Sequence, residues 1–232
     1  MRKIVKTQGI CLVSHPWHET SKIVTFFTEK FGKITFVAKG ARRPKSKFGS
    51  CLEIFTLSEL IFNRTEIKPI YTLVDTNLIN NFQNLQSPTK FFFANEIVKL
   101  ILNSVPYEDP NPKLFSLILS ALKILNQSAN KRTANYNSLL NGYYLKAISI
   151  LGYKPQFKNC VLCKNPKVAY FSIRCGGVIC LNHSKPDDAI EIQQIKIIKY
   201  LLNIPLVKTL EFTITKLTQK IIQDYIAYYL HK

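Results

Sequence analysis

Four of the chain's six cysteines fall between residues 160 and 180, with spacing that is typical of a metal site. Two residues separate Cys160 from Cys163, and two separate Cys180 from His183. Each such turn lets two side chains converge on one ion, as a tetrahedral site of thiolate and imidazole ligands requires. Four soft ligands leave no open position for a water molecule. The spacing therefore predicts one structural zinc ion held by Cys160, Cys163, Cys180 and His183.

Cys175 is the alternative to His183 as the fourth ligand. A Cys175-x4-Cys180 pair would complete a four-cysteine site and leave His183 in solvent. The two-residue spacing is the tighter structural template and favours His183. In a reducing compartment, clustered cysteines bind metal more often than they form disulfides. The other two cysteines, Cys11 and Cys51, lie in apolar patterns and are predicted to be small core residues.

The sequence carries no signature of a catalytic centre. It lacks a glycine-rich phosphate loop, a dinucleotide-binding turn, an HExxH zinc motif and a GxSxG nucleophile turn. It also lacks the paired motifs of zinc deaminases and a cluster of carboxylates suited to a nuclease. The segment His15-Pro-Trp-His18-Glu19 offers metal-binding side chains, but it falls where a turn between strands is expected. These features predict a protein that is not an enzyme.

The positive charge of the chain is large and unevenly distributed. The net charge is +18, and residues 1–50 contain eleven Lys or Arg against two acids. Five cations lie between Lys39 and Lys47, with no acidic residue among them. A polyanion is the natural partner for such a segment, because each phosphate contact releases condensed counterions. Anionic membrane surfaces and ribosomal RNA would match the same charge.

The hydrophobic pattern predicts a folded protein that does not cross a membrane. The apolar content of 47% is enough for a core. No apolar run reaches the roughly 18 residues of a membrane span. The first residues lack the continuous apolar segment of a signal peptide. We therefore expect a cytoplasmic location, which agrees with reduced, metal-binding cysteines.

The first 80 residues have the pattern of a small β-barrel. Short segments rich in Val, Ile, Thr and Phe are separated by turn signals such as Phe31-Gly32-Lys33. Five strands in so short a stretch suit an OB-fold, whose sheet and loops bind single-stranded nucleic acid. Residues 1–80 are thus predicted to form an OB-fold domain. Its strands are expected at Ile4–Ser14, Ser21–Thr28, Lys33–Ala38, Ser50–Asn63 and Ile67–Leu78.

Residues 81–232 change to helical periodicity and are predicted to form an α-helical domain, which makes the fold class α+β. Ser87-Pro88 marks a helix start, and apolar residues at helical spacing extend from 114 to 125. The polar residues 127–138 are expected to form a flexible connection. The zinc module is expected at about 157–186, inserted between helices. Those helices are predicted at Tyr143–Leu151, Asp187–Asn203 and Thr213–Leu230.

Three segments resemble the RecO family of DNA repair and recombination-mediator proteins. The segment Glu19–Ser46 follows that family's N-terminal barrel signature almost position for position. Leu151-Gly-Tyr-Lys-Pro155 and Gly176-Gly177 are similar to the family's approaches to its two metal-binding turns. The similar segments occur along the chain in the expected order. One position departs from the pattern, because His183 stands where many relatives have cysteine.

The resemblance implies a DNA-binding mediator that acts without covalent chemistry. Proteins of this family bind single- and double-stranded DNA, anneal complementary strands and act with the RecR protein. They help to load RecA recombinase onto DNA coated by single-strand-binding protein, whose acidic C-terminal tail they contact. A bacterial cytoplasmic protein associated with the nucleoid is expected. The alternative function is that of an RNA- or ribosome-binding protein with an OB-like barrel and a structural zinc module.

The basic residues of the barrel are the predicted phosphate contacts, namely Lys33, Lys39, Arg42, Arg43, Lys45 and Lys47. Phe36 would stack a base if its side chain pointed outward, but strand alternation favours a place in the barrel core. Trp17, the only tryptophan, lies on a predicted loop and is a further, less favoured candidate for stacking. Cations around the zinc module are expected to extend the DNA-binding surface: Lys158, Lys164, Lys167, Arg174 and Lys185.

Overall fold

A computed structural model describes residues 3–64, 70–128, 133–185 and 190–230 of the chain. The chain divides into two compact units, Met1–Gln127 and Ser128–Lys232. The fold is mixed α+β, as predicted, with a five-stranded barrel in the first unit and mainly helices in the second. The domain boundary near residue 80 stays a prediction. So does the inserted module at 157–186, whose last residue lies outside the described ranges.

Five strands of the first unit form a closed barrel: β1 (Lys3–Trp17), β2 (Ser21–Thr28), β3 (Gly32–Ala38), β4 (Leu57–Arg64) and β5 (Ile70–Asn80). Their order around the barrel is β1-β2-β3-β5-β4. Strand β1 pairs with both β2 and β4, which closes the ring. Strands β3 and β5 run parallel, and the other neighbours are antiparallel. A five-stranded barrel of this kind is an OB-fold.

Aromatic rings fill the interior of the barrel. Phe26, Phe36 and Phe62 are fully buried, and the rings of Phe36 and Phe62 meet edge to face with centroids 4.9 Å apart. Phe36 is therefore a core residue, as the alternation along β3 predicted. Cys11 and Cys51 are also buried, as predicted. Burial raises the pKa of the Cys11 thiol far above its usual range, so the thiol stays protonated.

Strand β1 continues beyond its predicted end at Ser14. It pairs with β2 as far as Trp17, which lies opposite Ser21 where the hairpin closes. A short turn follows, as expected from the sequence. For the fifth predicted strand, residues 67–69 lie outside the described ranges, and β5 is described from Ile70. Trp17 is therefore a strand residue at the hairpin end, not a loop residue.

The predicted strand Ser50–Asn63 begins too early. Its first residues belong to a short 3-10 helix, Gly49–Leu52, and β4 starts later. The Cys51 carbonyl accepts hydrogen bonds from the hydroxyl groups of Thr56 and Ser58, at 2.9 and 3.1 Å. Side-chain bonds to the backbone give the chain an alternative to strand pairing. Thr56, of a residue type that favours strands, therefore holds a turn here together with Ser58 of β4.

Two helices complete the first unit: α1 (Pro88–Ser104) and α2 (Pro112–Gln127). Ser87 occupies the N-cap position with extended backbone angles, and Pro88 opens the helix, as predicted. Phe115 on α2 contacts Phe27 on β2, with ring centroids 6.2 Å apart, and Phe27 is fully buried. The helices therefore pack on the barrel. No helix in the described part of the chain is both long and apolar enough to cross a lipid bilayer.

The β2–β3 turn is fixed by the loop between α1 and α2. Gly32 has a φ of +69°, and a side chain at this position would overlap the backbone of Asp109. Next to it, Lys33 is buried. Its Nζ donates a hydrogen bond of 2.6 Å to the Leu102 carbonyl and lies 4.5 Å from the centre of the Tyr107 ring. Burial lowers the pKa of Lys33. Gly32 and Lys33, at the start of β3, therefore join the barrel to its helices.

Gly32→Ala should destabilise the protein much more than Gly49→Ala. Both glycines have a positive φ, so each substitution forces alanine into left-handed backbone at a cost of about 1–2 kcal/mol. Only at Gly32 does the new Cβ also meet another backbone, since nothing lies within 4 Å of a Cβ at Gly49. We expect Gly32→Ala to lower the free energy of unfolding by about 3 kcal/mol or more in urea. Equal losses would contradict the packing described for Gly32.

The second unit combines three helices with a small antiparallel sheet: α3 (Thr133–Ile150), β6 (Tyr170–Ser172), β7 (Gly177–Ile179), β8 (Ile190–Glu191), α4 (Ile192–Asn203) and α5 (Lys216–Leu230). Strand β6 lies between β7 and β8. Buried residues of all three helices and of the sheet share one core, including Leu145, Phe171, Ile198 and Ile222. The helix predicted from Asp187 begins later, and its residues 187–189 lie outside the described ranges.

Helix α3 begins earlier than predicted. Residues 133–138 were assigned to a flexible connection because they are polar, but they are helical. Asn135 Nδ2 donates a hydrogen bond to the Leu210 carbonyl at 2.8 Å, and Ser138 Oγ donates to the Phe212 carbonyl at 2.8 Å. These two polar side chains therefore satisfy backbone carbonyl groups of a distant segment. The prediction was wrong for these residues, and residues 129–132 of that connection lie outside the described ranges.

Candidate metal centre and nucleic-acid surface

Two tight turns present the predicted metal ligands. In the first turn, the Lys164 N–H donates a hydrogen bond of 2.8 Å to the Cys160 carbonyl. Lys164 has a φ of +63°, a left-handed conformation that is uncommon outside glycine. The second turn is a short 3-10 helix, in which the His183 N–H donates to the Cys180 carbonyl at 3.0 Å. Each turn places its two ligands side by side.

The ligand atoms of both turns converge on one point. One ligand atom from each of Cys160, Cys163, Cys180 and His183 lies within 4.8 Å of the other three. Cys163 Sγ and Cys180 Sγ are 3.7 Å apart. His183 Nδ1 lies 3.2 Å from Cys180 Sγ and 3.7 Å from Cys160 Sγ. The structure thus brings together the four predicted ligands, and Cys175 does not belong to this group among the residues described.

These distances fit a tetrahedral zinc ion. With zinc–sulfur bonds of about 2.3 Å and zinc–nitrogen bonds of about 2.0–2.1 Å, a tetrahedron has sulfur–sulfur edges of about 3.8 Å and sulfur–nitrogen edges of about 3.6 Å. The distance of 3.7 Å between Cys163 Sγ and Cys180 Sγ agrees with this geometry. The two sulfur–nitrogen distances lie on either side of the ideal edge. The group can therefore hold one metal ion with four protein ligands.

Backbone amides adjust the pKa values of the thiols. Burial raises the pKa of Cys160, but the N–H groups of Cys163, Cys180 and Leu162 outweigh it and lower the pKa to about 5. For Cys163, the Asn165 N–H lowers the pKa, but burial and the two neighbouring sulfur atoms prevail and raise it. The thiolate is the form that binds a metal. Cys160 is therefore ready to act as a ligand at neutral pH.

Two glycines allow the segment that carries the metal ligands, which we call the metal-site module (residues 157–185), to pack closely within the second unit. Gly176 has a φ of +73°, and a Cβ there would lie 2.7 Å from the Tyr229 hydroxyl, which donates a hydrogen bond of 3.0 Å to the Ile173 carbonyl. A Cβ at Gly177 would lie 2.6 Å from the Gln156 carbonyl oxygen. The Gly-Gly segment noted in the sequence thus has a packing role. The tyrosine from α5 was missed, because no local pattern links it to residues so distant in the chain.

Cys175→Ser should retain one zinc ion per chain, whereas His183→Ala should lose most of its zinc. The reason is that the His183 imidazole lies among the other ligands and the Cys175 thiol does not. Elemental analysis of the two purified variants measures this difference. X-ray absorption by the unmodified protein should show three sulfur ligands and one nitrogen. Four sulfur ligands, or zinc loss in Cys175→Ser alone, would make Cys175 the fourth ligand.

Five of the six predicted phosphate contacts are exposed on the segment after β3, which we call the basic loop (residues 39–47): Lys39, Arg42, Arg43, Lys45 and Lys47. Arg42 holds this loop to the β1–β2 hairpin. Its backbone N–H donates to the Thr20 carbonyl, and its Nη1 donates to the His18 carbonyl at 3.0 Å. Beyond the loop, Phe48 is buried in the barrel core. The basic loop is therefore a fixed cationic surface, with no acid between residues 39 and 52.

The sixth predicted contact, Lys33, does not share this surface. Lys33 is only 4% exposed, and its ammonium group contacts the Leu102 carbonyl and the Tyr107 ring. A phosphate contact needs an ammonium group at the surface, so the position of Lys33 gives that prediction no support. Lys33 is therefore not part of the exposed cationic surface. Together with Gly32, it contacts the end of α1 and the loop that follows.

The second unit has a cationic surface of its own. Residues 151–185 contain no acid. The predicted contacts around the metal site are all exposed: Lys158, Lys164, Lys167, Arg174 and Lys185. One of them, Lys158, lines an open cleft of about 430 Å³, which also has two other lysines and an apolar portion in its lining. The lining residues are Lys154, Pro155, Gln156, Phe157, Lys158, Lys199, Leu202 and Asn203. These exposed lysines and the absence of acids from residues 151–185 make this part of the second unit cationic.

The sequence matches two models of one protein family over nearly its whole length. The model described as "Recombination protein O N terminal" matches residues 1–82, which contain the barrel. The model described as "Recombination protein O C terminal" matches residues 85–232. The chain belongs to the RecO family. This membership gives the protein a role in DNA repair and confirms the resemblance drawn from the sequence.

Individual relatives agree with the family match. The DNA repair protein RecO of Thermoanaerobacter sp. (strain X514) is 33% identical over 205 residues, which cover 86% of this chain and 80% of that protein. The protein of the same name from Caldanaerobacter subterraneus subsp. tengcongensis is 33% identical over 202 residues, or 86% and 79% of the two chains. That from Clostridium perfringens is 30% identical over 180 residues, or 76% and 71%.

Proposed function

We propose that this member of the family is a recombination mediator that binds single-stranded DNA and anneals complementary strands. The observation that carries the proposal is the basic loop, which presents five exposed cations and no acid beside an OB-fold barrel. Each cation that meets a phosphate releases condensed counterions, which favours binding. The exposed cations around the metal site give the second unit further phosphate contacts for single or double strands. This activity needs no covalent chemistry, so the protein is proposed not to be an enzyme.

The protein acts with a RecR-like partner and helps to load RecA recombinase onto DNA coated by single-strand-binding protein. It contacts the acidic C-terminal tail of that coat protein. The cleft in the second unit supports this contact, because Lys154 and Lys199 would attract carboxylates while the partly buried Phe157 offers apolar surface. RecA takes part indirectly, by binding the strand that the coat protein leaves. The setting proposed for these steps is the nucleoid of a bacterial cytoplasm.

Zinc in the Cys3His group serves the fold of the module. A tetrahedral ion with four protein ligands has no place for a reacting water molecule, and its binding contributes to folding. The three buried residues of the module's own apolar cluster are Cys160, Ile179 and Cys180, so two of them are also ligands. A metal ion bound there would add to the packing that Phe171 and Val178 already make with the helices. The ion therefore holds the surrounding cations in place without contacting DNA.

Annealing of complementary strands coated by single-strand-binding protein tests the proposal. A variant with glutamine at Arg42, Arg43, Lys45 and Lys47 should anneal coated strands at least about tenfold more slowly, because four phosphate contacts are lost. The control variant loses the same charge through glutamine at four other exposed positions: Lys113, Lys123, Lys196 and Lys216. It should anneal nearly normally. Both proteins are assayed with and without a RecR partner, and recombinase loading is followed in parallel.

The salt dependence of binding separates loop contacts from general attraction. Each phosphate contact on a single strand contributes about 0.7 to the slope of log affinity against log salt. The four-residue loop variant should therefore flatten the slope by up to about 3, and the control variant should not. An unchanged slope in the loop variant would exclude the basic loop as the binding surface. Preference for structured RNA without annealing of coated DNA would favour the alternative function in RNA or ribosome binding.

A further inference from the structure

One exposed aromatic side chain stands beside the basic loop. Trp17, at the end of β1, is 46% exposed. Other exposed rings of the first unit have different neighbours: Tyr107 lies against Lys33, and Phe91 packs against Phe55. Single exposed apolar residues are common and need no special explanation. What distinguishes Trp17 is therefore its surroundings.

The hairpin end holds the Trp17 ring in a defined place. The His18 imidazole meets the indole nearly at right angles, with ring centroids 4.8 Å apart and an interplanar angle of 71°. His18 has a φ of +49°, and its carbonyl accepts the hydrogen bond from Arg42 Nη1. An edge-to-face contact covers at most one face of the indole, which leaves room for another ring. A ring positioned in this way loses little conformational entropy on binding.

The hydrogen bond between Arg42 and the His18 carbonyl places the Trp17 ring next to the basic loop. Arg42 uses one guanidinium N–H for the His18 carbonyl, and within the described ranges its other guanidinium N–H groups have no partner. The turn also contains one carboxylate, that of Glu19, but the five cations of the basic loop keep the combined charge of the two segments positive. Proteins hold unpaired strands by this combination, in which cations follow the backbone and an aromatic ring takes a base.

We infer that Trp17 is a stacking platform for an unpaired base, and that the hairpin end and the basic loop together recognise DNA in its single-stranded form. This inference rests on the proposed function. Phosphates are offered by single and double strands alike, so charge alone does not distinguish them. A base can lie on an indole only when it has left its own stack. Trp17 therefore supplies a preference for single strands.

The fluorescence of Trp17 measures this contact directly. Because the chain has one tryptophan, its emission reports this site alone. Titration of the full-length protein with a thymidine oligonucleotide should quench the emission over the same concentrations at which a labelled strand shows binding by anisotropy. A strand of equal length with abasic sites keeps its phosphates but has no bases to stack. It should bind without quenching, and so should a blunt duplex.

Substitutions give a second readout. Trp17→Ala should weaken binding of the thymidine strand by about fivefold to a hundredfold. The same variant should bind the abasic strand almost as well as the unmodified protein. Trp17→Phe should keep most of the affinity, because a benzene ring still stacks. Phe92→Ala removes another exposed ring of the same unit, 58% exposed on α1, and should change neither affinity.

The possible outcomes separate this inference from the proposed function. Binding of thymidine strands without quenching would overturn the stacking platform and leave the proposed function standing. Equal losses for abasic and thymidine strands in Trp17→Ala would do the same. Failure to bind any single strand would overturn the proposed function and this inference with it. Since quenching is measured on the unmodified protein, the result does not depend on whether a variant folds.

Discussion

The pairing of β1 with both β2 and β4 is the constraint on which the first unit depends. It closes the barrel, so most backbone groups of the strands are satisfied by a neighbouring strand. The enclosed space is filled by the rings of Phe26, Phe36 and Phe62. A small barrel filled by its own side chains binds ligands at its loops and outer face, not inside. The hairpin end and the basic loop lie on this outer surface, and Arg42 connects them through two hydrogen bonds.

The second unit has a much smaller sheet than the first. The strands of its sheet are only two or three residues long, and the apolar cluster around the metal ligands is small. The tyrosine contact from α5 and the packing of Phe171 and Val178 into the core shared with the helices hold these strands, and the four converging ligands can add a metal ion. The two units therefore present cations on different supports. In the first, a closed barrel fixes a basic loop. In the second, a metal-site module carries exposed lysines over a stretch without acids.

Local patterns in the sequence were enough for the strand count, the start of α1, the core position of Phe36 and the convergence of the four ligands. Each of these depends on neighbours in the chain, such as the two-residue spacing of Cys180 and His183. Errors arose where distant segments decide the role of a residue. Lys33 looks like a surface cation until Leu102 of α1 and Tyr107 of the following loop cover it. The polar start of α3 looks like a linker until the carbonyls of residues 210 and 212 accept its hydrogen bonds. Neither contact leaves a periodic signal in the sequence.

Hydrogen–deuterium exchange of the full-length protein, with and without a saturating single-stranded oligonucleotide, tests most directly the claim that the barrel binds DNA through its hairpin end and basic loop. We expect slower exchange in residues 17–21 and 39–48 when the strand is bound, with little change in the buried strands of the barrel. Unchanged exchange in both segments under conditions of full binding would contradict it.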